Sequence, residues 1–234
     1  MRASRHRKGR CLPGHAWRQA LPDQQLQRLE IHLGEDHSFD FSSLDAVAAN
    51  NHGVFVAFDQ RFGNFKRMEL MQAAMERSWH MDPFIHPAAV VDSSAVIGMN
   101  TFIGPAVVIG HGCKIDYNTV IMSGTHIGHG SRIKPSCWIE HGAQLGAEVE
   151  LGSNCTLHSG AVLQRDIKIG RGCELGWAQV YGRDIPARTI FDSRYDEPIH
   201  VYGQKSIKSE LPKTSRNLRH QCLLLNSPQG IRGY

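Results

Sequence analysis

An all-β solenoid, a parallel β-helix of about five triangular coils behind a small, incomplete α/β segment, is the fold class the sequence predicts. Three observations predict it. From Val91 every sixth residue is aliphatic, through Ile97, Ile103 and Ile109 to Leu175, fifteen positions in succession without an insertion. Two residues before most of these stands a small side chain, as at Ala95, Thr101, Cys113, Thr125, Cys137 and Ala161. Glycine often follows the aliphatic residue, as at Gly98, Gly110, Gly128 and Gly170.

A period of six suits neither an amphipathic helix nor a meander of hairpins, but it does suit a stacked repeat. Each hexapeptide makes one short strand with its aliphatic side chain turned inward. The small residue two places earlier lies on the same face of that strand. The glycines are expected at corners, in a backbone conformation that residues with a Cβ avoid. Three hexapeptides close a coil of 18 residues, and coils stack at a rise of ~4.8 Å.

Three segments follow from the pattern: an N-terminal α/β part over 1–84, the solenoid over 85–177, and a C-terminal cap and tail over 178–234. In the first, "GVFVAF" (53–58) reads as a buried strand and "FKRMELMQAAMERSW" (65–79) as a helix. Phe65, Met68, Met71 and Met75 recur at helical spacing and are expected in the core. The flanking segments are expected to cap the open ends of the solenoid, where unpaired edges invite aggregation. Past Trp177 the hexapeptide pattern breaks, and the stretch from Ser206 to Tyr234 has no clear assignment.

Composition excludes several classes of function. The net charge of +4 gives no reason to expect a nucleic-acid partner. The basic run "MRASRHRKGR" reads as a solvated, disordered start. No apolar stretch follows it, so neither a secretory signal nor a membrane span is expected, and a cytoplasmic protein is. The six cysteines include no C-x-x-C pair. Cys113, Cys137, Cys155 and Cys173 are spaced by multiples of six and fall at inward positions, as small buried hydrophobes.

The register also says where histidines fall. His111 and His129 follow their aliphatic residues by two places and lie 18 residues apart, so they stack on one corner of successive coils. His141 holds the same place within its repeat but on another corner, and His126 precedes Ile127, pointing outward. His158 follows Leu157 where glycine is usual.

"FIHPAAVVDSSAVIG", with the hexapeptides after it and "MSGTHIGHGSRI", resembles the bacterial left-handed β-helix acetyltransferases that modify sugars. The resemblance is to the branch of nucleotide-linked amino-sugar N-acetyltransferases and sialic acid O-acetyltransferases, and it runs over about residues 53–176. The family's solenoid opens with Ile-His-Pro-Ser-Ala, which falls on Ile85 to Ala89. Its Asn-Thr-Gly-Ala element falls on Met122, Ser123, Gly124 and Thr125, and its catalytic histidine on His129. Three positions depart from the family's pattern: Gly130 replaces the carboxylate after that histidine, Gly128 the acid before it, and Met122 the Asn. The strand and Gly-rich loop with which the family holds a sugar nucleotide find no counterpart in "RKGRCLPGHAW".

The resemblance implies acetyl transfer from acetyl-CoA to an amino or hydroxyl group of a sugar. A neutral imidazole is suited to take the acceptor's proton at physiological pH, and His129 is the candidate base. Gly142 and Gly160 are candidates to line the coenzyme A site, with Gly124 or Gly142 offering a backbone N–H to the oxyanion. Arg61, Asn64 and His111 are candidates for holding the acceptor. No nucleophile pair is evident, so direct transfer without an acyl-enzyme, and without a metal, is implied. Such solenoids assemble as homotrimers with clefts between the prisms, where His129 and His141 of different chains could meet. Two other readings compete. The H-x-x-H spacing of His126 and His129, with His141 from a neighbour, would suit a γ-carbonic-anhydrase-like zinc site. The departures from the pattern would suit a non-catalytic scaffold.

Overall fold

The computed structural model describes residues 26–33, 38–45, 52–57, 64–201 and 219–226; the basic start and Arg61 lie outside them. The solenoid is there as expected, a left-handed β-helix of about six turns with three flat faces. The first face stacks two-residue strands at 84–85, 102–103, 120–121, 138–139, 156–157 and 174–175, the second runs from 90–91 to 180–181, and the third from 96–97 to 168–169. Pairing is parallel at a constant step of 18, so Ile103, Ile121, Ile139 and Leu157 stack in one interior column. All four are fully buried. The count exceeds five because Phe84–Ile85 already belongs to the first coil, and because Glu174–Leu175 pairs onward with Ile190–Phe191. That last coil is two residues shorter. Trp177 and Tyr181 meet Phe191 edge-on at 5.0 and 5.1 Å between ring centroids, closing the far end with aromatic rings.

The inward small residues have a second property. Thr125 Oγ1 donates to Glu140 O at 3.1 Å, Ser131 Oγ to Gly146 O at 3.1 Å, and the Cys137 and Cys155 thiols to Gly152 O and Gly170 O at 3.1 Å. Each donor reaches a carbonyl 15 residues on, so a hydroxyl or thiol satisfies a corner acceptor that no strand pairs. The four solenoid cysteines are free and buried. The Cys137 thiol pushes the Cys155 pKa up, the Cys155 thiol does the same to Cys173, and burial raises Cys113. Cys113, Cys155 and Cys173 therefore stay protonated and inert.

The glycines work differently from expectation. The left-handed residue of each corner comes two places later, at Gly124, Gly130, Gly142 and Gly160, or at Asn100, Asn118 and Glu148. Glycine directly after the aliphatic residue answers to space: a Cβ on Gly128 would stand 2.5 Å from the backbone of Ala147, and one on Gly170 2.3 Å from that of Ala187.

The N-terminal part is a four-stranded antiparallel sheet with a single-turn helix, Ser42–Asp45, and a longer one, Phe65–Glu76. Strand Arg219–Asn226 lies between Leu26–Leu33 and His52–Ala57, so the previously unassigned tail returns to the start of the chain. Rather than capping an end, this part lies against the first face, whose outward Phe84, Phe102, Val120 and Trp138 are buried. Val54 and Val56 point to the helix side, while Phe55, alternating with them, meets Phe84 and Phe102 at 5.9 and 6.5 Å. In helix Phe65–Glu76 the buried face is Arg67, Leu70, Met71, Ala73 and Ala74. Phe65 and Met75, expected in the core, are exposed. The spacing was right for a helix and right about Met71, but Phe65 and Met75 lie on its exposed side. Among the described residues no helix is long and apolar enough to cross a membrane.

Candidate active site

The candidate site residues fall on two corners, and the second face separates them. On the corner between the second and third faces, His111 and His129 stack as the register requires: Gly130 N donates to His111 O, and Glu148 N to His129 O, both at 2.8 Å. Both side chains are exposed. Gly110 is obligatory there, because a Cβ on it would lie 2.8 Å from the His129 nitrogen. The space that a side chain at Gly130 would fill is approached by Glu148 of the next coil, whose Cγ stands 3.3 Å from where that Cβ would be. Among the described residues, the His129 ring has no hydrogen-bonded or ionic partner.

His111 is held. Its Nδ1 meets Ser94 Oγ at 2.8 Å, and Ser94 Oγ meets Asp92 Oδ1 at 2.5 Å. Hydrogen bonds from Ser94, with a smaller contribution from His111, lower the Asp92 pKa.

The corner between the first and second faces carries His141, Gly142, His158 and Gly160. His141 Nδ1 meets Ser123 Oγ of the coil before at 2.7 Å. Gly124, Gly142 and Gly160 follow one another down this corner with φ of +71°, +68° and +79°, and nothing stands within 4 Å of a Cβ on Gly142. A ligand can therefore come close to the backbone at Gly142, whose N–H, like that of Gly124, already donates to the coil before, to Ser123 O at 3.1 Å and Pro105 O at 3.2 Å.

Within one chain the structure does not bring His129 to Gly142 and Gly160; they flank opposite edges of the second face. Asn64 is wholly buried, its Nδ2 donating to Ser136 O at 2.7 Å, and it belongs to the joint between the two parts of the molecule. Asp92, Ser94 and Ser123 escaped the sequence reading. The signal for them, a serine 17 or 18 residues before a histidine, has meaning only once the coil length is known. Among the described residues of one chain no group of three or more His, Cys, Asp or Glu side chains is placed to hold a metal ion.

His158 is the most enclosed of the corner histidines. Its Nε2 lies 2.9 Å from Glu174 Oε1 and its Nδ1 3.6 Å from Glu140 Oε2. The hydrogen bond to Glu174 raises the His158 pKa above its ordinary 6.5, and the same bond lowers that of Glu174 below 4.5. The histidine's contribution to stability is whole below its unfolded value and fades as pH climbs through the folded one. The carboxylate's is whole above its unfolded value and fades on acidification. His158→Ala should therefore lower the melting temperature most between pH 4.5 and 6.5. Both groups are partly exposed, so the loss is about 1 kcal/mol or less. Melting curves across pH would refute this with a difference that stays flat.

Comparison with known proteins agrees with the geometry. Residues 130–165 match the bacterial transferase hexapeptide (six repeats) family, and residues 80–137 match the GMPPB C-terminal domain. No curated protein sequence matches the chain. The fold is similar to that of PerB from Caulobacter crescentus, solved with CoA and GDP-perosamine, at 25% identity over 62% of this chain and 69% of that one, with a TM-score of 0.57. A histidine-to-asparagine variant of perosamine N-acetyltransferase from the same organism, with the same ligands, gives 25%, 62%, 68% and 0.57. The acetyltransferase domain of PglB from Neisseria gonorrhoeae gives 18% identity over 67% and 75% of the two chains, with a TM-score of 0.46. The hexapeptides of residues 130–165 are thus those of the bacterial transferases, and the coils they build are similar to those of a sugar N-acetyltransferase.

Proposed function

We propose that the chain transfers an acetyl group from acetyl-CoA to the amino group of a nucleotide-linked sugar, with His129 as general base. One observation carries the reading: the likeness, over 62% of the chain, to a structure that holds CoA together with a nucleotide-linked amino sugar. A hydroxyl acceptor would use the same base. Neutral imidazole, with a reference pKa of ~6.5, takes the proton that nitrogen sheds as it bonds to the acetyl carbon. The Gly124 and Gly142 N–H groups, the sequence candidates for the oxyanion, instead donate to Pro105 O at 3.2 Å and Ser123 O at 3.1 Å of the coil before. Direct transfer is supported by the cysteines, since the four solenoid thiols are buried and offer no accessible nucleophile.

Because His129 and the Gly142–Gly160 strip stand on separate corners, the reading places the reaction between two copies of the chain in a homotrimer. The histidine corner of one copy would face the glycine strip of the next, with coenzyme A lying in the cleft. With acetyl-CoA as donor, the reading is of a cytoplasmic enzyme. Calorimetric titration of the purified protein with acetyl-CoA should show saturable binding at one site per chain, with micromolar affinity, roughly −8 kcal/mol. Absence of binding would overturn the reading and favour a scaffold.

A further inference from the structure

We propose that His111 is a second proton acceptor in the transfer, taking from the incoming ammonium the proton it must lose before it can attack. This rests on the amine-acceptor reading above. Accounting for the hydrogens around Ser94 supports it. Ser94 Oγ has one hydrogen to give and two lone pairs to offer. The Gly112 N–H donates to it at 2.8 Å, which takes one lone pair. Asp92 Oδ1, 2.5 Å away and already accepting from Ser94 N at 2.9 Å, is a carboxylate oxygen and can only accept. The hydroxyl hydrogen therefore goes to Asp92, and the remaining contact, to His111 Nδ1 at 2.8 Å, has the imidazole as donor. That fixes the Nδ1–H tautomer and leaves the Nε2 lone pair facing outward on a side chain 80% exposed.

The arrangement is that of an oriented base. A carboxylate backs the ring through a hydroxyl, with Asp92 Oδ1 3.6 Å from Nδ1, ready to stabilise the imidazolium. The charged or titratable groups around the ring are Asp92, His129 one coil on, and the inward Cys113, whose thiol also feels Asp92. His129, by contrast, has no such anchor among the described residues.

An amino sugar enters largely as an ammonium and must shed two protons. In the first step His111 Nε2 takes one, leaving a neutral amine. The nitrogen then bonds to the acetyl carbon, the carbon–sulfur bond breaks, and His129 moves the second proton from nitrogen to the departing sulfur, giving the amide and the thiol. His111 releases its proton to solvent, so one proton appears per turnover. Ser94 and Asp92 are positioning residues.

The test is kcat/KM against pH with a primary amino-sugar acceptor, for the wild type, His111→Gln and Asp92→Asn. His111→Gln should lose about 100-fold near neutrality, and the deficit should shrink as pH approaches the amine's own pKa, where water removes the first proton unaided. Asp92→Asn should shift the acid limb of the profile to lower pH. Nitrogen-15 spectra of the His111 ring should report the Nδ1–H tautomer in the wild type and its loss in Ser94→Ala. A pH-independent deficit in His111→Gln, no deficit, or an Nε2–H tautomer in the wild type overturns this proposal while leaving the transferase reading intact. A wild-type protein that acetylates no amine overturns both.

Discussion

Arg67→Met should destabilise the protein by about 3 kcal/mol or more, through three backbone acceptors left unpaired at about 1–3 kcal/mol each. Arg67 is fully buried. Its Nε donates to Val56 O at 3.1 Å, its Nη2 to Asn100 O at 2.7 Å, and its Nη1 to Asn118 O. One guanidinium thus ties the N-terminal strand to two successive coils, while its face lies 5.3 Å from the Phe55 ring centroid. Burial pushes its pKa down to about 9, which still leaves the charge in place at neutral pH. Asn100 and Asn118 extend the joint: Asn100 Oδ1 accepts from Val56 N at 2.9 Å, and Asn100 Nδ2 donates to Asn118 Oδ1 at 3.0 Å. Methionine keeps much of the volume and restores none of these bonds. Lysine would retain the charge on a point donor that cannot span three carbonyls. Chemical denaturation should show the transition of the N-terminal part moving to lower denaturant while the coils hold. A variant as stable as the wild type would mean that water replaces the guanidinium at the joint.

His129→Ala should reduce turnover by about 10²–10⁴-fold, the usual worth of a positioned general base. The side chain is exposed and takes no part in the strand ladder, so stability should stay within about 0.5 kcal/mol of the wild type. Acetyl-CoA binding should survive, because the coenzyme is proposed to rest on the glycine strip of the neighbouring copy rather than on His129. Loss of turnover with retained calorimetric affinity supports the assignment. Retained turnover removes His129 from the chemistry, and loss of both binding and activity makes it a ligand-holding residue instead.

The interior of the solenoid is legible because its code is short: six residues, an aliphatic side chain, a small neighbour, with every column repeating. Outward positions follow the longer period of 18, and Phe84, Phe102, Val120 and Trp138 form an apolar column at that spacing. It marks the face the N-terminal part covers, but only to a reader who already knows the coil length. Arg67 is opaque for another reason. A lone arginine in a helix reads as solvated, and its buried acceptors are backbone carbonyls, which leave no trace in side-chain patterns. In "LQRLEIHL" the alternation of Leu29, Ile31 and Leu33 is a local strand signal, yet its partner "RHQCLLLN" lies at the other end of the chain. Of the candidate site, the stacking of His111 on His129 follows from the register. The anchoring of His111 depends on a Ser94 rotamer and on Asp92, two residues that read locally as a turn.

Strand Arg219–Asn226 sits between two strands made far earlier, with about 160 residues separating it from Ala57. At a synthesis rate of about 5–20 residues per second, those earlier strands wait roughly 8–30 s on the ribosome for their shared neighbour. The coils, which pair only with the coil before, can form as they emerge. Order of birth and order of folding therefore run opposite ways in this chain: its N-terminal sheet is completed last, and until then two strands stand with an open edge beside a nascent solenoid, the interval in which a chaperone would matter most.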